Sequence, residues 1–376
     1  MDSADKKKIA LFMPSLANGG AERVMLNIAR GIAARNDYVV DIVLVRAEGP
    51  YLEEAQQIDN VRVVDLNCSR IIASVMPVVR YLRRSSPEAV LCALDTTNLV
   101  MLWAARLACF RNPVVVSVHC NFSAALEGAK NVRARLIPWL VRVSYRNAER
   151  VVCVSQGVAD DMTLSTGIDE EKLEVIVNPV ITAELVAAAS AKPSHPWLEK
   201  QNKKPVIVAV GRLTHQKNFS VLIDAFSDLL ESMPARLIIF GEGDEREMLE
   251  AKIEKLGLGD VIDLPGFVAN PHANFKAADL FVMSSRYEGL PTVLIEALYC
   301  GATIVSTDCP SGPREILEDG ALGTLVPVDD RGALGLAMLS VLEARANTAE
   351  CEPVGRDLSR YYEGSVVSEY LRVLKL

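Results

Sequence analysis

LFVMSSRYEGLPTVLIEALYCG, residues 280–301, predicts strand, sharp loop and helix in one short run. LFVM (280–283) has the length and apolar character of a buried strand. TVLIEALYC (292–300) has the apolar spacing of a short helix, with Pro291 at its first turn and Gly301 where a C-terminal cap belongs. In an open parallel sheet such a junction lies at the carboxyl edge of the strands, where ligands bind. The unbonded N–H groups at the helix start favour an anion. Glu288 in the loop and Glu296 about one turn into the helix could hold hydroxyls beside that anion. A sugar joined to a diphosphate has this shape.

The same grammar extends along the chain. KIALFMPS (8–15), VVDIVLVR (39–46), VRVVDL (61–66), AVLCAL (89–94), PVVVSVH (113–119) and RVVCVS (150–155) read as strands, with helical patterns such as AERVMLNIARGIAAR (21–35) between them. After a lapse rich in Ala, Ser, Lys and Pro, the alternation restarts with PVIVAVGR (205–212), ARLIIFGEG (235–243), VIDLPGF (261–267), LFVMSS (280–285), ATIVST (302–307) and TLVPV (324–328). Apolar strands alternating with helices predict α/β architecture, parallel sheets covered on both faces. The expected organisation is a first domain over 1–180, a linker over 181–204, a second domain over 205–356 and a terminal helix over 357–376. Facing doubly wound domains leave a cleft suited to a ligand. In the terminal stretch, Tyr361, Val366, Tyr370, Leu371 and Leu374 are available for packing.

Composition narrows the function. The 376 residues are 50% hydrophobic, yet no run approaches the ~18 apolar residues of a membrane span. The start, MDSADKKKIALFMPSLANGG, has a short apolar run containing Pro14 and reads as a first strand ending in a glycine loop, not as a signal peptide. Eight scattered Cys, without a C-x-x-C pair, read as reduced thiols of a cytosolic protein, and no metal site is expected. Net charge is −8, but residues 61–150 hold 13 Lys and Arg against 5 acids. That basic segment points to an anionic partner. Nucleic acid is a poor candidate, since no binding motif or aromatic-rich strand accompanies it.

Several residues could carry chemistry. In GRLTHQKN (211–218), Gly211 lets the backbone turn closely while Arg212 and Lys217 could neutralise a diphosphate; solvated loop charges would look the same. Gly19 and Gly20 open a helix and could approach a phosphate, or could serve only the turn. His119 ends a strand, where an imidazole can bond a sugar hydroxyl or fill a structural need. Two segments, 69–86 with Arg70, Arg80, Arg83 and Arg84, and 128–150 with Arg133 and Arg142, look like basic amphipathic helices. Such helices can sit in an anionic membrane interface, or can pack their apolar faces on the sheet.

Taken in order, GGAER (19–23), His119, NP (178–179), GRLTHQKN, GEG (241–243), LPGF (264–267), SSRYEGLPTVLIEAL and DCPSGPREI (308–316) resemble the retaining family-4 glycosyltransferases of the GT-B fold. LDTTN (94–98) and RVSY (142–145) make the chain similar to bacterial enzymes that extend polyprenyl-diphosphate-linked oligosaccharides, including N-acetylgalactosaminyl transferases. The resemblance implies two Rossmann-like domains with the terminal helix crossing back to the first. It implies a UDP-sugar donor and no cofactor. Glu296 would hold the ribose and Glu288 would face the transferred sugar. Arg212 and Lys217 would meet the diphosphate, and the backbone of Gly289, Leu290, Pro291 and Thr292 would cap it. Phe267 and Val268 would lie where the base is read, with Gly19, Gly20 and His119 also on the donor side. The six arginines would face the acceptor or lipid. The implied location is cytoplasmic, peripheral on the inner leaflet of the inner membrane. Absence of D-x-D agrees with metal-independent transfer. The alternatives are a glycosyltransferase using another lipid or saccharide acceptor in lipopolysaccharide or capsule synthesis, or a sugar-nucleotide epimerase of the same fold, which would need more ring acid–base groups than His119. A binding protein without turnover would keep the same phosphate and ribose positions.

Overall fold

The computed structural model describes residues 6–17, 19–126, 132–199, 204–347 and 357–376, without the side chains of 132–135. The chain divides into two compact units, 1–180 with 359–376 and 181–358.

In the first unit, β1 (Lys7–Met13), β2 (Tyr38–Leu44), β3 (Val61–Asp65), β4 (Ala89–Ala93), β5 (Val114–Val118), β6 (Arg150–Cys153) and β7 (Leu173–Val175) form one sheet. Its order is β3-β2-β1-β4-β5-β6-β7, with every pair parallel. Strands β4 and β5 are buried from end to end, which is why they read as unbroken apolar runs. β7, absent from the sequence reading, is a three-residue edge strand without that signature. The helix Gly20–Ala33 packs against the terminal helix Glu363–Val373, and Gly31 permits the approach: a Cβ there would lie 2.6 Å from Val367 Cγ2. Tyr361, Val366, Tyr370, Leu371 and Leu374 are all buried. The terminal helix thus crosses back to the first unit, as the resemblance implies.

In the second unit, β8 (Val206–Val210), β9 (Arg236–Phe240), β10 (Ile262–Gly266), β11 (Leu280–Met283), β12 (Ile304–Thr307) and β13 (Thr324–Val326) are ordered β10-β9-β8-β11-β12-β13, again parallel throughout. Pro265, unable to donate to a ladder, lies on edge strand β10 beside a register shift. The stretch 181–199 is anchored on this unit. It holds the helix Ala183–Ala188, Ser194 N donates to Asn274 Oδ1 at 2.8 Å, and His195 Nε2 stands 2.8 Å from Asp263. Pro138 lies inside the helix Val132–Tyr145, which runs on past it.

Both sheets reverse their strand order at one place, between β1 and β4 in the first and between β8 and β11 in the second. Such switch points are where doubly wound sheets bind ligands.

Candidate active site

The second switch point is built by the loops after β8 and β11. β8 ends against Gly211, whose N–H donates to Phe240 O at 3.0 Å. The following loop is jammed against the one after β9, since a Cβ on Gly241 (φ +148°) would meet Gly211 O at 1.9 Å. Only glycine fits that contact. A turn from Thr214 to Lys217 leads through Asn218 into the helix Phe219–Leu230. Ser284 Oγ then donates to Lys217 O at 2.8 Å and Arg286 N to Gln216 O at 2.8 Å, joining the two loops.

This joining brings two of the expected residues into contact. Lys217 Nζ stands 2.5 Å from Glu288 Oε1, with side chains 16% and 8% exposed. Ser285 Oγ donates to the same oxygen at 2.7 Å, Gln216 Nε2 reaches Oε2 at 3.5 Å, and Glu288 N donates to Pro310 O at 2.9 Å. A buried pair with added partners tolerates neither member's removal; a lone buried charge costs about 3–5 kcal/mol. Gly211 lies along the lysine stem, 3.3 Å from its carbons to a built Cβ. Arg212 is exposed, without an ion-pair partner among the described residues.

Beyond Glu288, Gly289, Leu290 and Pro291 are buried, and Pro291 is the residue before the helix Thr292–Tyr299, one position earlier than the sequence pattern predicts. No side chain caps that helix, and Thr292 and Val293 are only partly buried. Its first-turn N–H groups and dipole therefore present positive potential. Glu296, one turn on, pairs with a residue that the sequence reading missed: His272 Nε2 lies 3.3 Å from its Oε2. Phe267 is exposed and Val268 partly so, after β10 and two strands from β8.

At the first switch point, Gly19 precedes and Gly20 begins the helix Gly20–Ala33, with no capping side chain. A Cβ on Gly20 would meet nothing within 4 Å. The protein itself does not require glycine there for space.

His119 follows β5, and its protonation can be read from its neighbours. Ser117 Oγ donates its one hydrogen to Cys92 O at 3.0 Å, so at 2.9 Å from His119 Nε2 it must accept. Burial pushes the imidazole pKa down to about 4. The ring is therefore neutral with hydrogen on Nε2, and its buried Nδ1 is an acceptor with no donor among the described residues. Beside it, Asn98 Nδ2 donates to Ser117 O at 2.9 Å and to Tyr145 Oη at 3.0 Å, leaving Asn98 Oδ1 without a partner. Tyr145 donates onward to Asp95, whose pKa burial pushes up to about 6 against that bond. Leu94 just before it has φ +74°, an unusual value for a residue with a side chain. LDTTN marked the family in sequence; only the strained turn shows that Asp95 and Asn98 face this network.

The expected basic faces are half apolar. Ile72, Met76, Arg80 and Arg84 follow one another at four-residue spacing and are exposed, while Val78, Val79 and Leu82 are buried. Leu136, Trp139, Arg142 and Val143 are exposed on the helix Val132–Tyr145. Arg70 is exposed, Arg83 donates to Leu107 O at 2.9 Å, and the Arg133 side chain lies outside the described residues. Among the described residues no helix is long and apolar enough to cross a membrane, and no group of three or more His, Cys, Asp or Glu could hold a metal ion.

Comparison with known proteins bears on both units. Residues 18–184 match the family model Glycosyltransferase Family 4, and residues 192–357 match Glycosyl transferases group 1. The N-acetylgalactosamine-N,N'-diacetylbacillosaminyl-diphospho-undecaprenol 4-alpha-N-acetylgalactosaminyltransferase of Campylobacter jejuni is 26% identical over 384 residues, spanning 95% of this chain and 100% of that one. A second Campylobacter jejuni enzyme, GalNAc-alpha-(1->4)-GalNAc-alpha-(1->3)-diNAcBac-PP-undecaprenol alpha-1,4-N-acetyl-D-galactosaminyltransferase, is 28% identical across 89% of each chain. The crystal structure of Anabaena Alr3699/HepE in complex with UDP shares the fold, with a TM-score of 0.73 at 22% identity over 98% of this chain and 99% of that one. With one family model on each of two doubly wound units, the chain belongs to the family-4 glycosyltransferases of the GT-B fold.

Proposed function

We propose that this glycosyltransferase moves a hexose or N-acetylhexosamine, with N-acetylgalactosamine favoured, from a UDP-sugar to a polyprenyl-diphosphate-linked saccharide, with retention and without a metal. The observation that carries this reading is the buried Lys217–Glu288 pair beside an uncapped helix start at the second switch point. Preorganised cations and N–H groups stabilise charge where it develops on a leaving group. Arg212, Lys217 and the first turn of Thr292–Tyr299 take the diphosphate. Glu288 accepts from hydroxyls of the transferred sugar, Glu296 from the ribose, and the backbone at Phe267 and Val268 reads the base. From the first unit, Gly19 and Gly20 serve the donor phosphate, and His119 accepts from a sugar hydroxyl through Nδ1.

In the step, the bond from anomeric carbon to phosphate oxygen breaks and its electron pair leaves on the diphosphate. The acceptor hydroxyl oxygen bonds the same carbon from the same face, and its proton passes to the departing phosphate oxygen. Sugar and carrier lipid are supported by what the two Campylobacter enzymes are named for, and the nucleotide by the Anabaena complex. The exposed Ile72, Met76, Leu136, Trp139 and Val143 among Arg70, Arg80, Arg84 and Arg142 suit an anionic bilayer surface. This face is assigned to peripheral association with the cytoplasmic side of the inner membrane.

The test is transfer from a panel of UDP-sugars to a polyprenyl-diphosphate-linked saccharide in EDTA, read by mass spectrometry, with acceptor in anionic or neutral vesicles. The expected result is one added N-acetylhexosamine from one donor, faster on anionic vesicles. No transfer from any UDP-sugar, or transfer only after a divalent cation is restored, overturns the reading. Equal rates on both vesicles remove the membrane assignment.

A further inference from the structure

Glu296 is held by a relay that begins in the stretch 181–199. Asn270 Nδ2 donates to Ala188 O at 3.1 Å, and since a carbonyl only accepts, this fixes which way the amide points. Its Oδ1 accordingly faces His272, accepting from the backbone N–H at 3.1 Å and standing 3.0 Å from Nδ1. An amide oxygen cannot donate, so Nδ1 carries a hydrogen. A neutral ring has only that one, and would then turn the lone pair of Nε2 toward the Glu296 carboxylate 3.3 Å away. The contact is attractive only when the ring carries both hydrogens.

His195, on the same unit, makes the contrast. Its Nδ1 accepts from Trp197 N at 3.1 Å and its Nε2 faces Asp263 at 2.8 Å, so a neutral ring satisfies both neighbours. His272 instead faces an acceptor at each ring nitrogen, with both side chains of its pair with Glu296 partly buried at 16% and 15% exposure.

We propose that His272 is a positioning residue: it holds one oxygen of Glu296 and thereby aims the other at the ribose hydroxyls of the nucleotide. The proposal rests on the reading of Glu296 as the ribose ligand. An unheld glutamate turns about its last side-chain bonds, and fixing it removes that freedom before the nucleotide arrives. The consequence is selective. Loss of His272 should weaken the contact to ribose hydroxyls and leave the diphosphate contacts alone.

Affinities of UDP and of 2′-deoxy-UDP, measured by calorimetry on the full chain, read this selectively. Wild type should prefer UDP roughly tenfold, the scale of one hydrogen bond to a charged group. His272→Ala should lose most of that preference by weakening UDP, with 2′-deoxy-UDP unchanged within about twofold on the same scale. His272→Gln, whose amide can still donate to the carboxylate, should restore part of it. An equal loss for both nucleotides in the two variants means a purely structural role and overturns the proposal, as does full retention of the preference in His272→Ala. A wild type that binds both nucleotides equally, or a Glu296→Ala variant that still discriminates, removes Glu296 from the ribose and the proposal with it. These outcomes separate failure of the relay from failure of the assignment beneath it.

Discussion

At the second switch point a buried lysine and a buried glutamate are matched to each other; at the first, His119 Nδ1 and Asn98 Oδ1 are buried and left open. Lys217 and Glu288 neutralise each other, and Ser285 and Gln216 hold the carboxylate further. His119 Nδ1 and Asn98 Oδ1 have no donor among the described residues, and the nearby carboxyl of Asp95 is pushed toward its neutral form. The strand orders of the two sheets are the same through six strands. The difference therefore lies in the loops and not in the scaffold. One site is preformed and charge-balanced, and a bound diphosphate would redistribute an existing pair. The other has hydrogen-bonding capacity that an added hydroxyl could complete. An unsatisfied buried polar atom costs about 1–3 kcal/mol, which such a ligand would recover.

The largest effect should come from the matched site. Lys217→Ala should slow transfer on the order of a hundredfold or more, the range for removal of one preorganised charge-stabilising group. It should also destabilise the fold by about 3–5 kcal/mol by stranding Glu288. The double variant with Glu288→Ala should be more stable in urea than the lysine single variant. If it is not, the two residues are not coupled and the contrast between the sites collapses.

A smaller effect is expected at the open site. His119→Phe removes an Nδ1 acceptor that the described protein does not use, together with the Nε2–H bond to Ser117 Oγ, so transfer should fall roughly tenfold and stability by about 1 kcal/mol. Because burial holds the imidazole pKa near about 4, wild-type transfer should show no histidine inflection between pH 6 and 8 arising from this ring. An inflection that disappears in His119→Phe would show that the ring titrates there, and would undo the assignment of a neutral, burial-depressed imidazole.

The smallest effect is in stability alone. Asp95 has a folded pKa raised to about 6, above the roughly 3.9 of an unfolded aspartate. Its neutral form contributes stability below about pH 4, and that contribution is lost as pH rises through about 6. Asp95→Asn should therefore lose less stability than wild type between pH 4 and pH 8, flattening the pH dependence seen by chemical denaturation. An unchanged pH dependence would place the Asp95 carboxylate in water and remove it from the network.

Much of this was legible before any coordinates. Twelve strand-forming runs, the glycine loop at Gly19–Gly20 and the junction around Glu288 follow from apolar periodicity and turn residues, because burial on both faces of a parallel sheet leaves little choice of side chain. β7 was not legible, since a short edge strand has no apolar run to show. The 181–199 stretch looked like a linker by composition, yet its Ser194, His195 and Ala188 carbonyl are tied to the second unit.

Sequence by itself determined which residues could bear charge at which loop, and hence the family. It could not pair them. Lys217 meets Glu288 across 71 positions of chain, and Asn270 meets Ala188 across 82. Nor could it say which hydrogen-bond partners each histidine ring meets. His119, His195 and His272 differ in what their ring nitrogens face, and that difference arises only when loops distant in sequence are folded against one another.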